Sequence, residues 1–370
     1  MKTYRAVLVG TGSIGEAHVR AVEATEGRVV LEAAVDIDAK RVGDFAKKHG
    51  IARHFTDYLA MLSEVKPDIV LVATPPGQHD DMCIAAMEAG AWALCEKPLC
   101  GSLAELDRIE AAEKRTGCFT ACIFQMRFGS VTGHLRRLAD AGHLGRPLVG
   151  VCNTLWYRDA AYYAVPWRGI WETELGGPTM GLGIHAMDHF LHLMGPWSEV
   201  RAVVRTLDRA IEVEDVSLAL VTFANGAVGS IVNSALSPRQ ETYLRLDYQR
   251  ATVELTHLYS YTRDNWKLTP VPPAQDDGLL QAWHSFPPDV GSTHGAQLNA
   301  FVADMDAKRR PLTSGDQARQ TLELLTAIYK SGFTGEIVKR GSIKPGDSFY
   351  TVLHGNRAPE RVKGEPVRLD

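Results

Sequence analysis

Three groups of residues in this chain have types and spacings suited to redox chemistry. The first is Gly10-Thr11-Gly12-Ser13-Ile14-Gly15. In such a turn Gly10 allows the tight bend, Gly12 lets backbone approach a pyrophosphate, and Gly15 lets a helix pack closely on a strand. Asp36 follows about twenty residues later, where an acid can accept hydrogen bonds from the adenosine ribose and repel a 2′-phosphate. Ile37 and Asp38 come next rather than Arg or Lys, which favours NAD over NADP. An aspartate at a strand end also serves as a turn or helix-cap residue. The second group is Glu96-Lys97-Pro98. An ammonium held beside a nicotinamide can hydrogen-bond a substrate oxygen and stabilise charge building on it; the commoner fate of a lysine is the solvated surface. The third is His185, Asp188, His189 and His192, spaced to share a helix face. That ladder could bind a metal. No metal is expected there, and His189 and His192 read as core or interface positions.

The elements around these groups alternate as in a doubly wound α/β domain. Tyr4–Val9 reads as a strand, followed by the glycine turn and a helix over 16–25. Val29–Val35 is a second strand, ending at Asp36. Asp68–Ala73 is a continuous apolar run, the pattern of a parallel strand buried on both faces. It ends in Thr74-Pro75-Pro76-Gly77, at the sheet edge where ligands bind in open α/β folds. Gln78 and His79 follow, either as cofactor neighbours or as ordinary polar residues of a helix start. Ala91–Cys95 should aim Lys97 at the same crevice, and Phe119–Phe124 reads as the last parallel strand.

Leu148–Trp156 reads as the first strand of a second domain. The next stretch is rich in aromatics and arginines, with Trp156, Arg158, Tyr163 and Trp167 and no helical or strand period. Aromatic faces suit the C–H surfaces of sugars, which makes this a candidate substrate loop; packed loops and oligomer contacts use the same residues. Strand-like runs follow over 200–207, 215–223, 227–234, 242–246 and 251–255, with Asn225-Gly226 as a hairpin signal. A polar loop spans Pro270 to Gly278, helices are expected over 293–308 and 316–331, and a tail follows Gly341.

Length and composition set the bounds. A chain of 370 residues suggests about two domains. With 45% hydrophobic and 23% charged residues, a substantial core is expected. A net charge of -4 is too small to point to nucleic acid or an anionic membrane. No apolar run approaches a membrane span, and the first strand begins too early to leave room for a signal peptide. The six cysteines form no CxxC pair, which fits reduced, buried thiols in a cytoplasmic protein.

In combination, the glycine turn, Ala73-Thr74-Pro75-Pro76 with His79, Glu96-Lys97-Pro98, Gln125-Met126-Arg127-Phe128 and Gly183-Ile184-His185-Ala186-Met187-Asp188 resemble the glucose–fructose oxidoreductase/inositol dehydrogenase (Gfo/Idh/MocA) family. The match is in order and covers roughly residues 1 to 335. The resemblance implies an NAD(P)-dependent dehydrogenase acting on sugars, polyols or related carbonyl compounds. It implies a Rossmann domain over residues 1–125, then a C-terminal α/β domain over 126–340 with a large, mostly antiparallel sheet, and a tail over 341–370. In the family that sheet often supplies a homodimer or homotetramer interface. Lys97 would be catalytic and His185 the general acid–base group. Gly10, Thr11, Gly12, Ser13, Ile14, Gly15, Asp36, Thr74, Pro75, His79, Glu96, Lys97 and Gln125 would face the cofactor. Arg127, Trp156, Arg158, Tyr163, Trp167, His185 and Asp188, with Lys97, would face the substrate; Arg127 could equally close an interdomain ion pair. One departure stands out: the family commonly carries Asp four residues before the histidine, and this chain has Gly181. A non-catalytic NAD-binding sensor, or an epimerase or eliminase using NAD transiently, are the alternative functions.

Overall fold

Six short strands build the first sheet: β1 (Tyr4–Val9), β2 (Val29–Val35), β3 (Arg53–Phe55), β4 (Ile69–Val72), β5 (Trp92–Cys95) and β6 (Thr120–Cys122). They pair in parallel in the order β3-β2-β1-β4-β5-β6, so the order reverses between β1 and β4, the switch point where such sheets take ligands. All four residues of β4 are buried, as a strand covered on both faces requires. The crossovers are α1 (Gly15–Glu23), α2 (Ala39–His49), α3 (Tyr58–Val65), α4 (His79–Glu88) and α5 (Leu103–Thr116). Their ends are written in the sequence. Asp38, Asp57 and Ser102 accept a backbone N–H at the starts of α2, α3 and α5, and Gly50 and Gly117 end α2 and α5 in the left-handed conformation.

The computed structural model describes residues 2–272 and 278–361. Of the expected loop between Pro270 and Gly278, residues 273–277 lie outside that description, as does the tail beyond 361. The first compact unit runs to Gln125 and also takes in Thr293–Arg319. The helix His294–Asp306 supplies Leu298, Phe301 and Val302 to the same apolar core as Ala6, Leu8, Val19 and Phe45. Gln297 ties it down: its Oε1 accepts from Phe124 N at 3.0 Å, and its Nε2 donates to Cys122 O at 2.7 Å. The range 126–340 expected for the second domain includes this helix; the contacts of Leu298, Phe301 and Val302 put it with the first unit instead.

The second unit holds Met126–Ser292 and the chain from Gln320 onward. Its sheet contains β7 (Pro147–Tyr157), β8 (Trp197–Thr206), β9 (Val216–Phe223), β10 (Val228–Ser234), β11 (Leu236–Tyr248), β12 (Ala251–His257), β13 (Trp266–Pro270), β14 (Val338–Lys339) and β15 (Glu360–Arg361). The order is β13-β12-β11-β7-β10-β9-β8-β14, with β15 beside β8. Pairing is antiparallel except for β7 with β10 and β8 with β15. β9 alternates buried and open residues, the mark of a sheet with one covered face. The helix Ile184–Met194 lies on the covered side, where Gly150 makes room: a Cβ there would come within 2.5 Å of the Phe190 ring. The tail is not loose within its described part, since Phe349 is buried and β15 pairs with β8. No helix among the described residues is long and apolar enough to cross a membrane.

Candidate functional site

In the first unit the predicted residues gather at the carboxyl ends of β1, β2, β4 and β5. Gly10 has φ +96°, and a Cβ there would lie 2.5 Å from Ala73 O, so the bend needs glycine. Gly12 faces open space, with nothing within 4 Å of where its Cβ would be, while a Cβ at Gly15 would press on Gly10 O and the Phe45 ring. An open, side-chain-free backbone before a helix start is the cradle a pyrophosphate needs.

Asp36 closes the far side of that cradle. Its Oδ2 accepts from Thr11 N at 2.9 Å and Thr11 Oγ1 at 2.8 Å. The sequence reading stopped at Ile37 and Asp38 and missed Arg41. From the first turn of α2, its Nε and Nη2 reach back to Oδ2 and Oδ1 at 3.0 and 2.5 Å. Burial alone would raise the Asp36 carboxyl, but these donors hold it well below the usual carboxylate range.

His79 is fully buried and pins two turns together. Its Nδ1 faces Pro98 O at 2.7 Å and its Nε2 faces Thr74 O at 2.9 Å. Burial holds the ring toward its neutral form, against the pull of the two carbonyls. His79 thereby sets the spacing of the turn containing Thr74 and Pro75 and the turn containing Lys97. Glu96 is the centre of a second cluster. His18 Nε2 and His294 Nε2 lie 3.1 and 3.0 Å from its Oε1. Burial would raise this carboxyl, yet the two imidazoles hold it well below its ordinary value. The ligand-type atoms of the three lie within 4.8 Å of one another, a metal-sized grouping on paper. Hydrogen bonding accounts for the arrangement, since each imidazole can donate Nε2–H to the shared oxygen. Lys97 follows Glu96 directly and is half-buried, with a cis bond to Pro98. Gln125 is buried at the end of the unit.

In the second unit His185 is the second residue of the helix Ile184–Met194, 7% exposed, with the Tyr259 ring edge-on at 5.9 Å. Asp188, one turn on, does not face it as a partner. Its carboxylate meets Arg127 in a bidentate pair, with Nε–Oδ2 and Nη2–Oδ1 both 2.6 Å, and accepts from Thr321 Oγ1 at 2.9 Å. Both side chains are completely buried, and the pair lies inside one compact unit rather than joining two. Burial pushes the Asp188 carboxyl up against the pull of Arg127. His189 is also buried, its Nε2 2.9 Å from Thr132 Oγ1; burial, with Arg127 nearby, lowers it to about 3. His192 is lowered to about 2 by the same causes.

The aromatic stretch is tied together by its arginines. Arg158 lies over Trp156 and Tyr162, and Arg168 over Tyr162 and Trp167. Trp156 Nε1 donates to Thr242 Oγ1. Tyr163 is half-buried, whereas Trp167 is exposed. Arg168 Nη1 and Gly169 N both donate to Glu174, at 2.7 and 2.6 Å. Glu174 also bears on the departure at Gly181: a Cβ on that glycine would find Glu174 Oε1 at 3.6 Å, an ordinary van der Waals contact. Beneath this loop Glu214 is fully buried and accepts from Gly177 N, Thr179 N and Tyr329 Oη, each at 3.0 Å. Burial raises it to about 7. Sequence reading missed Glu214; an acid inside a strand-rich stretch carries no signal of its own.

Known proteins extend this picture. Residues 4–124 match the model of an oxidoreductase family with an NAD-binding Rossmann fold, and residues 132–257 match the GFO/IDH/MocA C-terminal domain. The chain is 27% identical over 360 residues to a D-apiose dehydrogenase of Paraburkholderia graminis, covering 93% of this chain and 92% of that one. It is 25% identical to a D-glucoside 3-dehydrogenase of Escherichia coli, covering 90% and 97%. Among solved structures, the WlbA dehydrogenase from Bordetella pertussis in complex with NADH and UDP-GlcNAcA has a TM-score of 0.80 and 27% identity, over 91% of this chain and 99% of that one.

Proposed function

The chain belongs to the Gfo/Idh/MocA oxidoreductase family, and from that premise we propose that it interconverts a carbinol and a ketone on a sugar or polyol, with NAD as redox partner. The observation that carries this reading is one sheet edge. The open glycine turn, the ribose-side carboxylate of Asp36 and the lysine following β5 all lie on it. The backbone at Gly12 would hold the pyrophosphate and Asp36 the adenosine ribose. NAD supplies the hydride acceptor.

Lys97 hydrogen-bonds the substrate oxygen and stabilises negative charge as the C–H bond breaks. His185 takes the hydroxyl proton, with Lys97 as the alternative base. Glu174 provides the carboxylate beside the Gly181 position, and a nearby anion favours the imidazolium that forms when His185 accepts the proton. The aromatic stretch with Trp156, Arg158, Tyr163 and Trp167 borders the substrate. Arg127 and Asp188 neutralise each other below the surface and act indirectly, by anchoring the helix that carries His185.

The open face of the second sheet presents Val149, Val203, Leu218, Leu220 and Val228, and Leu220 is 68% exposed. A second copy of the chain would cover this face, giving a homodimer or a tetramer built from it. Six buried, unbridged cysteines fit a cytoplasmic protein. A screen of sugars and polyols for NADH absorbance tests the enzyme assignment. Tight NAD binding with no turnover of any of them would replace it with a sensor.

A further inference from the structure

The last described stretch of the chain closes back on the aromatic loop of the second unit. Asp347 caps a one-turn helix, Ser348–Thr351, by accepting from Phe349 N at 3.0 Å, and its carboxylate also pairs with Lys330. Phe349 and Leu353 are both buried, so this turn is anchored by its apolar side chains. His354 comes next. Its Nδ1 donates to Arg357 O at 2.8 Å, which fixes the orientation of the ring. Farther on, Glu360 meets Arg205 at 2.9 Å where β15 joins β8.

Two holds on the aromatic loop result. The His354 ring stacks on Trp171, with centroids 4.5 Å apart and planes 21° apart. Tyr329 meets the same indole edge-on at 5.3 Å, so the ring is gripped from two directions. The second hold is Arg361, whose Nη2 donates to Ile211 O. Ile211 bears on Gly169, where a Cβ would lie 2.7 Å from Ile211 Cγ2, and Glu212 N donates to Gly169 O at 2.8 Å. Both holds converge on one carboxylate. Trp171 opens the one-turn helix that ends in Glu174, and Gly169 N is among the donors that orient Glu174. A single helical turn does not sustain itself in water, so the place of Glu174 depends on what packs against that turn.

We propose, on the role given to Glu174 above, that the C-terminal segment Ser348–Arg361 is a positioning element of the substrate site: His354, through Trp171, sets where the Glu174 carboxylate stands beside Gly181. His354 and Trp171 act on the reaction only through Glu174 and are positioning residues.

The test compares the full chain with His354→Ala, His354→Phe, Glu174→Gln and the double variant His354→Ala/Glu174→Gln. Turnover is followed as NADH absorbance on a panel of aldoses, glycosides and inositols. Backbone hydrogen exchange is followed at Gly169, Glu174 and Leu175, whose amides donate to Glu174 Oε2, Ile170 O and Trp171 O. His354→Ala should lower kcat by about 10- to 100-fold through misplacement of Glu174, with much less change in substrate KM. His354→Phe keeps a flat ring against the indole and should recover most of that loss. In the Glu174→Gln background, His354→Ala should cost no more than about twofold further, because both changes act on one group. Exchange at the three amides should quicken in His354→Ala while β9 and β10 stay protected. The proposal is overturned if His354→Ala lowers only the melting temperature, or if its loss of kcat is as large in the Glu174→Gln background. If no member of the panel is turned over by the unaltered chain, the functional reading fails. Hydrogen exchange then still decides the placement, and unchanged exchange at the three amides overturns it.

Discussion

Both units contain clusters of charge around a carboxylate, but they spend it differently. At the carboxyl edge of the first sheet, Asp36 is met by an arginine that is half in solvent, and Glu96 by two imidazoles beside Lys97. In the second unit, Arg127 and Asp188 meet with no exposure at all, and Glu214 is buried among backbone and hydroxyl donors. The first arrangement leaves a group that a ligand can recruit or displace, Arg41, 48% exposed, although Glu96 and His18 are buried. The second leaves none, and its energy goes into fixing where a helix lies. Charges at an edge should govern binding and rate, and charges in the interior should govern stability.

Lys97→Ala is the sharpest way to test that division. It should lower turnover by about two to four orders of magnitude, with NAD affinity and melting temperature nearly unchanged. A large loss of stability with little loss of rate would move Lys97 to the structural class. Arg127→Ala leaves a buried carboxylate without its guanidinium and should cost about 3–5 kcal/mol of stability in denaturant titration. Replacing both partners by apolar residues should recover much of that; no recovery would mean the pair does more than balance charge.

The buried histidines give a pH test of intermediate size. His189, lowered to about 3, binds fewer protons folded than unfolded. Its contribution is complete above the unfolded value near 6.5 and is lost as the pH falls toward the folded one, by up to about 1.4 kcal/mol per pH unit. His189→Gln should flatten the fall in melting temperature below pH 6.5. Glu214, raised to about 7, runs the other way: its stabilisation is complete below the unfolded value and is lost as the pH climbs through 7. Smallest in stability should be Leu220→Glu on the open sheet face, within about 0.5 kcal/mol at a surface site. Sedimentation should nonetheless show it breaking the proposed dimer.

What could be read from sequence follows the same line. The glycine turn, the apolar run of β4 and the Asn225-Gly226 hairpin are contiguous, so each shows its physics within a few residues. The spacing of His185 and Asp188 correctly gave a shared helix, but spacing alone cannot show that the aspartate turns to an arginine 61 positions earlier. Arg41 was nearer, yet it reaches Asp36 only because the chain turns a corner from β2 into α2. His294 joins Glu96 from 198 residues away, and nothing in either segment announces it. Contacts closed by tertiary structure leave no local trace, and the interior of the second unit is made mostly of them.

The helix His294–Asp306 carries a practical consequence. The nucleotide-binding half cannot be excised with a single cut after Gln125, because Leu298, Phe301 and Val302 would go missing from its hydrophobic interior. On the ribosome the same geometry imposes an order: the half that begins first must wait, its apolar flank uncovered, until the chain has grown past Arg319.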